Sequence, residues 1–151
     1  MATNKQKAAW CAIAVSCVSV FEGLRTYAYN DPVGIPTICF GETKGVKLGD
    51  TATISECKDM LADSLMLANK AVEKCTKVPL TDYRHAALVS FTYNVGGGSY
   101  CSSTLLRKLN AGDTVGACDQ LLRWKYAKGI ALPGLLNRRI KEREMCLKGI
   151  V

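Results

Sequence analysis

Eight cysteines in 151 residues constrain this chain more than any other feature of its sequence. They include no C-x-x-C pair, and the single histidine, His85, has no cysteine at the spacing of a zinc site. The sequence therefore calls for neither a metal nor a cofactor. Cysteine usage of this kind is typical of exported, disulfide-bonded proteins, and the alternative is a set of buried thiols in a cytoplasmic protein.

Length and charge narrow the class of protein further. With 48% hydrophobic residues, the chain is long enough to fold as one domain around a sizeable core. The formal charge of +7 favours anionic partners, such as nucleic acid, lipid headgroups or an acidic cell-wall polymer. No zinc-finger or RNA-binding signature accompanies the 20 Lys and Arg residues, so we do not expect nucleic acid as the partner. Nothing in the sequence demands more than a monomer.

The amino terminus has the pattern of an export signal. Lys5 and Lys7 precede an uncharged run over residues 8–21, as in the basic and apolar parts of such a signal. As a helix this run would be about 21 Å long, short of the ~30 Å hydrocarbon core of a membrane. No A-x-A cleavage site follows it. We therefore expect a retained segment over residues 1–20 that associates transiently with a membrane, and the alternative is an ordinary first helix.

A small sheet followed by a long helix is predicted after this segment. Residues 29–50 are rich in Gly, Pro and Thr, which is typical of a hairpin. The alternating positions that would form its strands are Ile35, Thr37 and Cys39, and then Val46 and Leu48. Thr53 and Glu56 form a capping-box pattern, and a helical apolar face continues from there to Cys75.

The remainder of the chain is predicted to be helical. One helix is expected to begin at Thr81 or Asp82 and to stop at Gly96, and a second to begin at Ser102 or Ser103 and run through Leu109. A third is expected to begin at Asp113 or Thr114 and run through Trp124, and a fourth to extend from about Leu135 to Leu147. The outline is an α+β, mainly helical fold. It has a small β-sheet lobe, a long connecting helix and a helical lobe, with a cleft expected between the lobes.

The placement of the cysteines on these elements suggests three disulfides, although eight cysteines allow 105 connectivities. The candidate pairs are Cys39 with Cys57, Cys75 with Cys101, and Cys118 with Cys146. Cys11 and Cys17 remain. Because they are six residues apart on a helix, they point in different directions and are not expected to bond to each other.

Two acidic residues near the predicted sheet suit acid–base chemistry. Glu22 ends the uncharged run, so we expect its helix to bury it, and burial favours a protonated carboxyl group. Asp31 lies in a polar turn, where a carboxylate ionises normally. Glycoside hydrolysis needs such a pair, and Thr37 on the adjacent strand would hold a water beside Asp31. The alternative is that both acids are solvated or capping groups.

Three stretches around these acids resemble the catalytic signature of phage-type lysozymes, glycoside hydrolase family 24. They are residues 21–25 (FEGLR), 28–31 (AYND) and 34–41 (GIPTICFG). Further similar stretches are residues 90–96, 103–105, 122–124 and 132–135, with Arg138, Arg139, Glu142 and Arg143. The resemblance covers nearly all of the chain from Phe21 onward. It implies the two-lobed fold of that family for residues 21–151, after the amino-terminal segment.

The resemblance also implies an activity and a set of roles. The activity is that of a muramidase that cuts the β-1,4 bond between N-acetylmuramic acid and N-acetylglucosamine in peptidoglycan and so lyses the host. Glu22 would be the general acid, Asp31 would position or activate the water, and Thr37 would help to hold it. Asn94 would contact substrate. Family 24 enzymes are regarded as inverting, which requires room for a water between the carboxyl groups.

The amino-terminal segment is similar to that of signal-arrest-release endolysins of the same family. These enzymes are exported, held inactive on the membrane and later released. For this chain the similarity implies export to the host periplasm, first tethered to the inner membrane through residues 8–21. Insertion of that segment would draw Glu22 away from Asp31.

One position departs from the family pattern. Many relatives have histidine after the glycine of the strand signature, where this chain has Glu42. We expect Glu42 to form a structural salt bridge with an arginine, in preference to acting as a third catalytic acid.

Three other functions stay open at this point. One is a non-catalytic peptidoglycan-binding module, and intact Glu22, Asp31 and Thr37 argue against it. Another is transglycosylase chemistry, which needs no water. The third is a cationic membrane-active protein. Its candidate helix contains Arg138, Arg139, Lys141 and Arg143, which we interpret instead as a solvated face that attracts an anionic wall.

Overall fold

The computed structural model describes residues 8–149. The contacts divide the chain into two compact units, one ending at Leu65 and the other beginning at Met66. The first unit contains both sides of the predicted division between residues 20 and 21, so that division stays a prediction. The predicted fold class is confirmed, with seven α-helices and two small two-stranded sheets in the described residues.

The first helix of the first unit, α1, spans Ala9–Glu22. Trp10, Ala14 and Val18 are buried along it at intervals of four residues, which place them on one face. The helix ends at Gly23, whose φ of 72° is readily adopted only by glycine. Within residues 8–149, no helix combines the length and the hydropathy that a membrane span requires.

The predicted hairpin follows α1. Strand β1, Arg25–Asn30, pairs antiparallel with β2, Pro36–Cys39. Of the two expected strands, the one at Ile35, Thr37 and Cys39 is present as β2. The predicted strand at Val46 and Leu48 is wrong. In its place the Lys47 amide donates to the Asp50 carboxylate at 2.8 Å and the Asp50 amide donates to the Lys47 carbonyl at 3.0 Å. A pattern of only two apolar positions is weak evidence for a strand, and the side chain of Asp50 stabilises a local turn there instead.

The second helix, α2, spans Ile54–Cys75 and begins at the predicted capping box. The Glu56 amide donates to Thr53 Oγ1 at 3.1 Å, and the Thr53 amide donates to Glu56 Oε1 at 2.9 Å. The two side chains thus satisfy amides at the start of the helix that have no partner within it.

The second unit holds the end of α2 and five more helices. They are α3 (Asp82–Val95), α4 (Gly97–Cys101), α5 (Thr104–Asn110), α6 (Thr114–Gln120) and α7 (Pro133–Leu147). The side chains of Thr81, Ser103 and Asp113 accept hydrogen bonds from the first turns of α3, α5 and α6, which resolves the alternatives that the sequence left open. Gly96 ends α3 as predicted, with a φ of 95°.

Three features of the second unit were not predicted. The short α4 follows directly after Gly96. The helix expected to reach Trp124 ends at Gln120 and continues as a single 3-10 turn over Leu121–Arg123. A hairpin then pairs β3, Tyr126–Ala127, with β4, Ile130–Ala131. Strands of two residues are too short for alternation to reveal them.

The six cysteines selected from the sequence form the three predicted disulfides. Cys39–Cys57 lies in the first unit, and Cys75–Cys101 and Cys118–Cys146 lie in the second. Cys11 is buried and Cys17 is partly buried, and neither takes part in these three bonds.

Candidate active site

Glu22 lies at the end of α1, and its position differs from the sequence expectation. Its side chain is exposed, and Leu24 is 39% exposed. The expectation that an apolar helix buries Glu22 is therefore wrong. Because Glu22 is the last helical residue and Gly23 redirects the chain, the carboxyl group leaves the helix at its end and does not enter the apolar face.

Asp31 lies in the turn between β1 and β2, where the backbone fixes its carboxylate. Its Oδ1 accepts hydrogen bonds from the Val33 amide at 3.0 Å and the Ile35 amide at 2.8 Å. The Gly34 amide donates to the Asp31 carbonyl at 2.9 Å and so closes the turn. These bonds hold the carboxylate in one orientation without burying it, as a group that handles a substrate water requires.

Thr37 is the first buried residue of β2 and is directed back to the same turn. Only 4% of it is exposed, and its hydroxyl donates to the Ile35 carbonyl at 2.9 Å. The Ile35 backbone therefore bonds to both predicted site residues, through its amide to Asp31 and through its carbonyl to Thr37. A hydroxyl that donates to a carbonyl keeps lone pairs that can accept a hydrogen bond from water.

Glu42 lies close to this group, and the salt bridge expected for it is wrong. Both of its carboxylate oxygens lie 3.1 Å from the Ser64 hydroxyl on α2, so in the described part of the chain it pairs with a hydroxyl and not with an arginine. Burial raises the pKa of Glu42, the Ser64 hydrogen bond lowers it, and the negative charge of Glu22 raises it. Ser64 was missed because a contact between residues 22 positions apart leaves no local pattern.

Asn94 lies in the second unit, one residue before the end of α3. Its amide oxygen accepts a hydrogen bond from the Arg139 guanidinium. The side chain therefore has a defined orientation, which sequence reasoning did not predict. Its role as a substrate contact stays a prediction.

The basic run of α7 is a solvated face only in part. Lys141 is exposed and Arg143 partly exposed, as expected, whereas Arg138 and Arg139 are not. Arg138 is 5% exposed and Arg139 is fully buried, and both form ion pairs with the buried Glu142. The Ser90 hydroxyl donates to Glu142 Oε2 at 2.6 Å. Burial raises the pKa of Glu142, and Arg139, Ser90 and Arg138 act in the opposite direction. These charges hold the interior of the second unit together.

The chemistry available is that of carboxyl groups and hydroxyls. Among residues 8–149 no group of His, Cys, Asp or Glu side chains is arranged to hold a metal ion. In the first unit, Asp31 and the Thr37 hydroxyl lie at one turn, where both bond to the Ile35 backbone, and Glu22 ends α1. Their roles in glycoside hydrolysis stay predictions.

Comparison of the sequence with known protein families shows which family the chain belongs to. The phage lysozyme family model matches residues 19–142. The chain belongs to the phage lysozyme family. A relative named SAR-endolysin, from Bacteriophage PS119, is 44% identical over 147 residues, covering 91% of this chain and 88% of the relative.

Solved structures give the same result. An endolysin from Escherichia coli O157:H7 phage FAHEc1 has a TM-score of 0.83 and 33% identity, over 99% of this chain and 95% of that one. A mutant of P22 lysozyme has a TM-score of 0.83 and 34% identity, over 90% and 96% of the two chains. This phage lysozyme is thus a muramidase, an enzyme that hydrolyses peptidoglycan in host lysis.

Proposed function

We propose that this phage lysozyme cleaves the β-1,4 bond between N-acetylmuramic acid and N-acetylglucosamine, with Glu22 as the general acid. Asp31 positions the attacking water, and Thr37 supports that water from β2. The observation that carries the proposal is the pair of backbone hydrogen bonds to Asp31 Oδ1, at 3.0 and 2.8 Å. They orient the Asp31 carboxyl group, while Glu22 stays accessible to a substrate at the end of α1.

The roles follow from the different attachment of the two acids. A carboxyl group whose Oδ1 accepts two backbone N–H bonds is held in one orientation, which suits a group that binds and orients water. Glu22 is exposed at the carboxyl end of α1, where it is accessible to the leaving oxygen of a bound glycan. In an inverting reaction the acid protonates the leaving oxygen while water attacks the opposite face of the sugar.

The test is clearance of outer-membrane-permeabilised Gram-negative cells by the wild type and by Glu22→Gln, with mass spectrometry of the released fragments. We expect the wild type to release fragments with reducing-end muramic acid, and the variant to be slower by about 10²–10⁴-fold, the usual contribution of a general acid. Glu144→Gln is the matched control, because it removes one carboxylate from an exposed pair with Lys141. Its clearance should equal that of the wild type.

The other outcomes identify the other functions. Equal clearance by Glu22→Gln and wild type would point to membrane disruption by the basic chain. Binding to the wall without clearance by either protein would point to a binding module. An anhydro product in place of a reducing end would point to transglycosylase chemistry.

We also propose that the chain is exported to the host periplasm and is first tethered to the inner membrane by residues 8–21, as a monomer. Relatives named SAR-endolysin, at 44% identity, support this. The retained α1 has an uncharged sequence from Ala9 to Phe21, and its last residue is Glu22. Withdrawal of α1 into a membrane would therefore remove Glu22 from the turn that holds Asp31.

Membrane fractionation of producing cells tests the tether. We expect the chain in the membrane fraction before the membrane potential is collapsed and in the soluble periplasmic fraction afterwards, with a rise in lytic activity that requires no new synthesis. A pool that is soluble and active throughout would contradict the proposal. Sedimentation of the released enzyme checks the monomeric state.

A further inference from the structure

The β3–β4 hairpin of the second unit has exposed apolar side chains on both of its faces. Tyr126 is 58% exposed, Ile130 is 65% exposed and Leu132, which follows β4, is 41% exposed. Ile130 pairs in the ladder with Ala127, the neighbour of Tyr126. Because paired residues share a face and neighbours alternate, Tyr126 and Ile130 lie on opposite faces. Single exposed apolar residues are common, whereas three of them so close together form a patch.

The base of the hairpin is anchored in the interior of the second unit. The Trp124 ring packs edge-to-face against Phe91, with ring centres 5.2 Å apart, and the Trp124 carbonyl accepts from Arg139 Nε at 3.1 Å. The Leu132 amide donates to the Lys125 carbonyl at 2.9 Å and extends the ladder. A two-stranded hairpin is only marginally stable by itself, so these contacts hold in place an element whose own faces stay uncovered.

The charged side chains of the hairpin are all positive. No acidic residue occurs between Asp119 and Glu142, and this stretch contains Lys125 and Lys128. In the part of the chain that the structure describes, neither lysine forms an ion pair, whereas several other basic residues of this unit are paired with carboxylates. The Lys125 ammonium lies 5.7 Å from the centre of the Tyr126 ring, so positive charge and aromatic surface are adjacent.

The turn of the hairpin places a lysine where the backbone favours other residues. Lys128 and Gly129 are its two central residues, with φ values of 51° and 77°. Two-residue turns with positive φ at both positions are usually formed by Asn-Gly or Asp-Gly, because most side chains strain the first position. A strained lysine at an exposed tip points to a use for the side chain itself.

We propose that the β3–β4 hairpin is a second binding site for peptidoglycan, in which Lys125 and Lys128 bind carboxylates of the peptide stems and Tyr126 packs against the polymer beside them. The inference rests on the peptidoglycan substrate of the proposed function, and not on the role of any acid in it. Acidic peptide stems complement a basic element that contains no acid. Arg139 donates to Asn94 as well as to the hairpin base, so the hairpin begins beside the residue predicted to contact the glycan.

A lipid surface is the other anionic partner of a basic and apolar element, and the hairpin fits it less well. Insertion by the tip would carry the Lys128 ammonium into the hydrocarbon ahead of the apolar side chains, which is costly. Insertion by one face would leave either Tyr126 or Ile130 in water. A polymer network can surround the hairpin and contact both faces at once.

Co-sedimentation of the full-length protein with purified peptidoglycan sacculi, in the cold and before any clearance, measures this binding. The hairpin variants are Lys125→Gln and Lys128→Asn, and each should raise the Kd by about 1.5- to 5-fold, as expected for one exposed charge contact. Lys108→Gln is the matched control, because it removes one positive charge from an exposed pair with Asp113 in the same unit. Its Kd should equal that of the wild type.

Lys128→Asn separates binding from structure. Because Asn-Gly suits the turn, this variant should be at least as stable as the wild type in urea unfolding while it binds more weakly. Lys128→Arg keeps the charge and should bind like the wild type. On sacculi whose carboxyl groups have been converted to amides, wild type and Lys128→Asn should bind equally. On untreated sacculi, salt at about 1 M, where the Debye length is about 3 Å, should shrink the difference between them.

Two results would overturn the inference. One is a Kd on untreated sacculi that is the same for the wild type, Lys125→Gln and Lys128→Asn. The other is lysine-dependent binding to vesicles of phosphatidylethanolamine and phosphatidylglycerol, together with binding to sacculi that does not depend on their carboxyl groups, which would make the hairpin a lipid-binding element. Failure of the proposed function is distinguishable, because it would show as an active Glu22→Gln variant, whatever the Kd of the hairpin variants.

Discussion

The two compact units of this lysozyme use carboxylates in opposite ways. In the first unit, Glu22 is exposed and Asp31 is held at one oxygen by two backbone amides. In the second unit, Glu142 is fully buried, and both of its oxygens are bonded to arginine or serine side chains. A carboxylate with both oxygens occupied and no access to solvent has nothing left to offer a substrate. Access to solvent therefore distinguishes the proposed site residues Glu22 and Asp31 from Glu142, whose burial indicates a structural role.

The same contrast extends to what stabilises each unit. Seven consecutive residues of α3, from Ala86 to Thr92, are buried in the second unit, where α3 packs against other helices. The first unit has fewer buried side chains along its hairpin, and local devices fix its shape: the Asp31 turn, the capping box of α2 and one disulfide. We therefore expect the two units to respond differently to substitutions of similar chemistry.

The largest effect on stability is expected from Glu142→Gln in the second unit. Removal of this carboxylate leaves Arg138 and Arg139 buried without their counter-charge, which typically costs about 3–5 kcal/mol in the free energy of unfolding. Urea unfolding measures that energy, and kcat/KM of the folded protein should change little. Glu144→Gln, on the exposed side of the same helix, should cost less than about 1 kcal/mol. Similar unfolding energies for the two variants would contradict the division drawn between buried and accessible acids.

Removal of one disulfide from each unit should lower the stability of the protein by similar amounts. Cys39→Ala/Cys57→Ala and Cys118→Ala/Cys146→Ala open loops of 18 and 28 residues, and each should cost about 3 kcal/mol of stability. Only the first pair should also lower kcat/KM of the folded protein, because Cys39 ends the strand that carries Thr37. Guanidinium unfolding and wall hydrolysis below the unfolding transition measure the two effects.

An equal loss of kcat/KM in both double variants would contradict the expectation that only the Cys39–Cys57 disulfide affects activity. It would mean that the disulfide of the first unit supports the fold only. The third pair, Cys75 with Cys101, is a second structural control, since it also lies in the second unit.

Most of the fold that could be predicted from the sequence was predicted from patterns of residues a few positions apart. Thr53, Thr81, Ser103 and Asp113 each cap a helix at or beside the predicted position, because a cap depends on residues only three positions apart. The hairpin of β3 and β4 was missed because its turn at Lys128 and Gly129, with φ values of 51° and 77°, contains only one residue type that signals such a turn.

Contacts between distant residues account for the errors at the site. The apolar run before Glu22 indicates a helix correctly, yet it does not show that only one face of that helix is buried and that its last residue is exposed. The basic run of α7 looks the same in sequence whether its arginines are solvated or buried against Glu142. Ser64 carries no pattern that assigns it to Glu42. Such pairings depend on the packing of whole elements, which short motifs do not encode.

The smallest expected effect is the change of stability with pH caused by two glutamates of the first unit, Glu42 and Glu56. The two should act in opposite directions. The pKa of Glu42 is raised in the folded protein, so its stabilising contribution is present below its ordinary pKa of 4.5 and is lost as pH rises through the folded value. The pKa of Glu56 is lowered by its hydrogen bonds to Thr53, so its contribution is present above 4.5 and is lost as pH falls through the folded value. From pH 3 to pH 8, Glu42→Gln should therefore gain stability relative to the wild type, and Glu56→Gln should lose it, as measured by urea unfolding at each pH. Changes of the same sign in both variants would mean that general charge repulsion, and not the particular environment of each carboxyl group, sets the acid dependence of this unit.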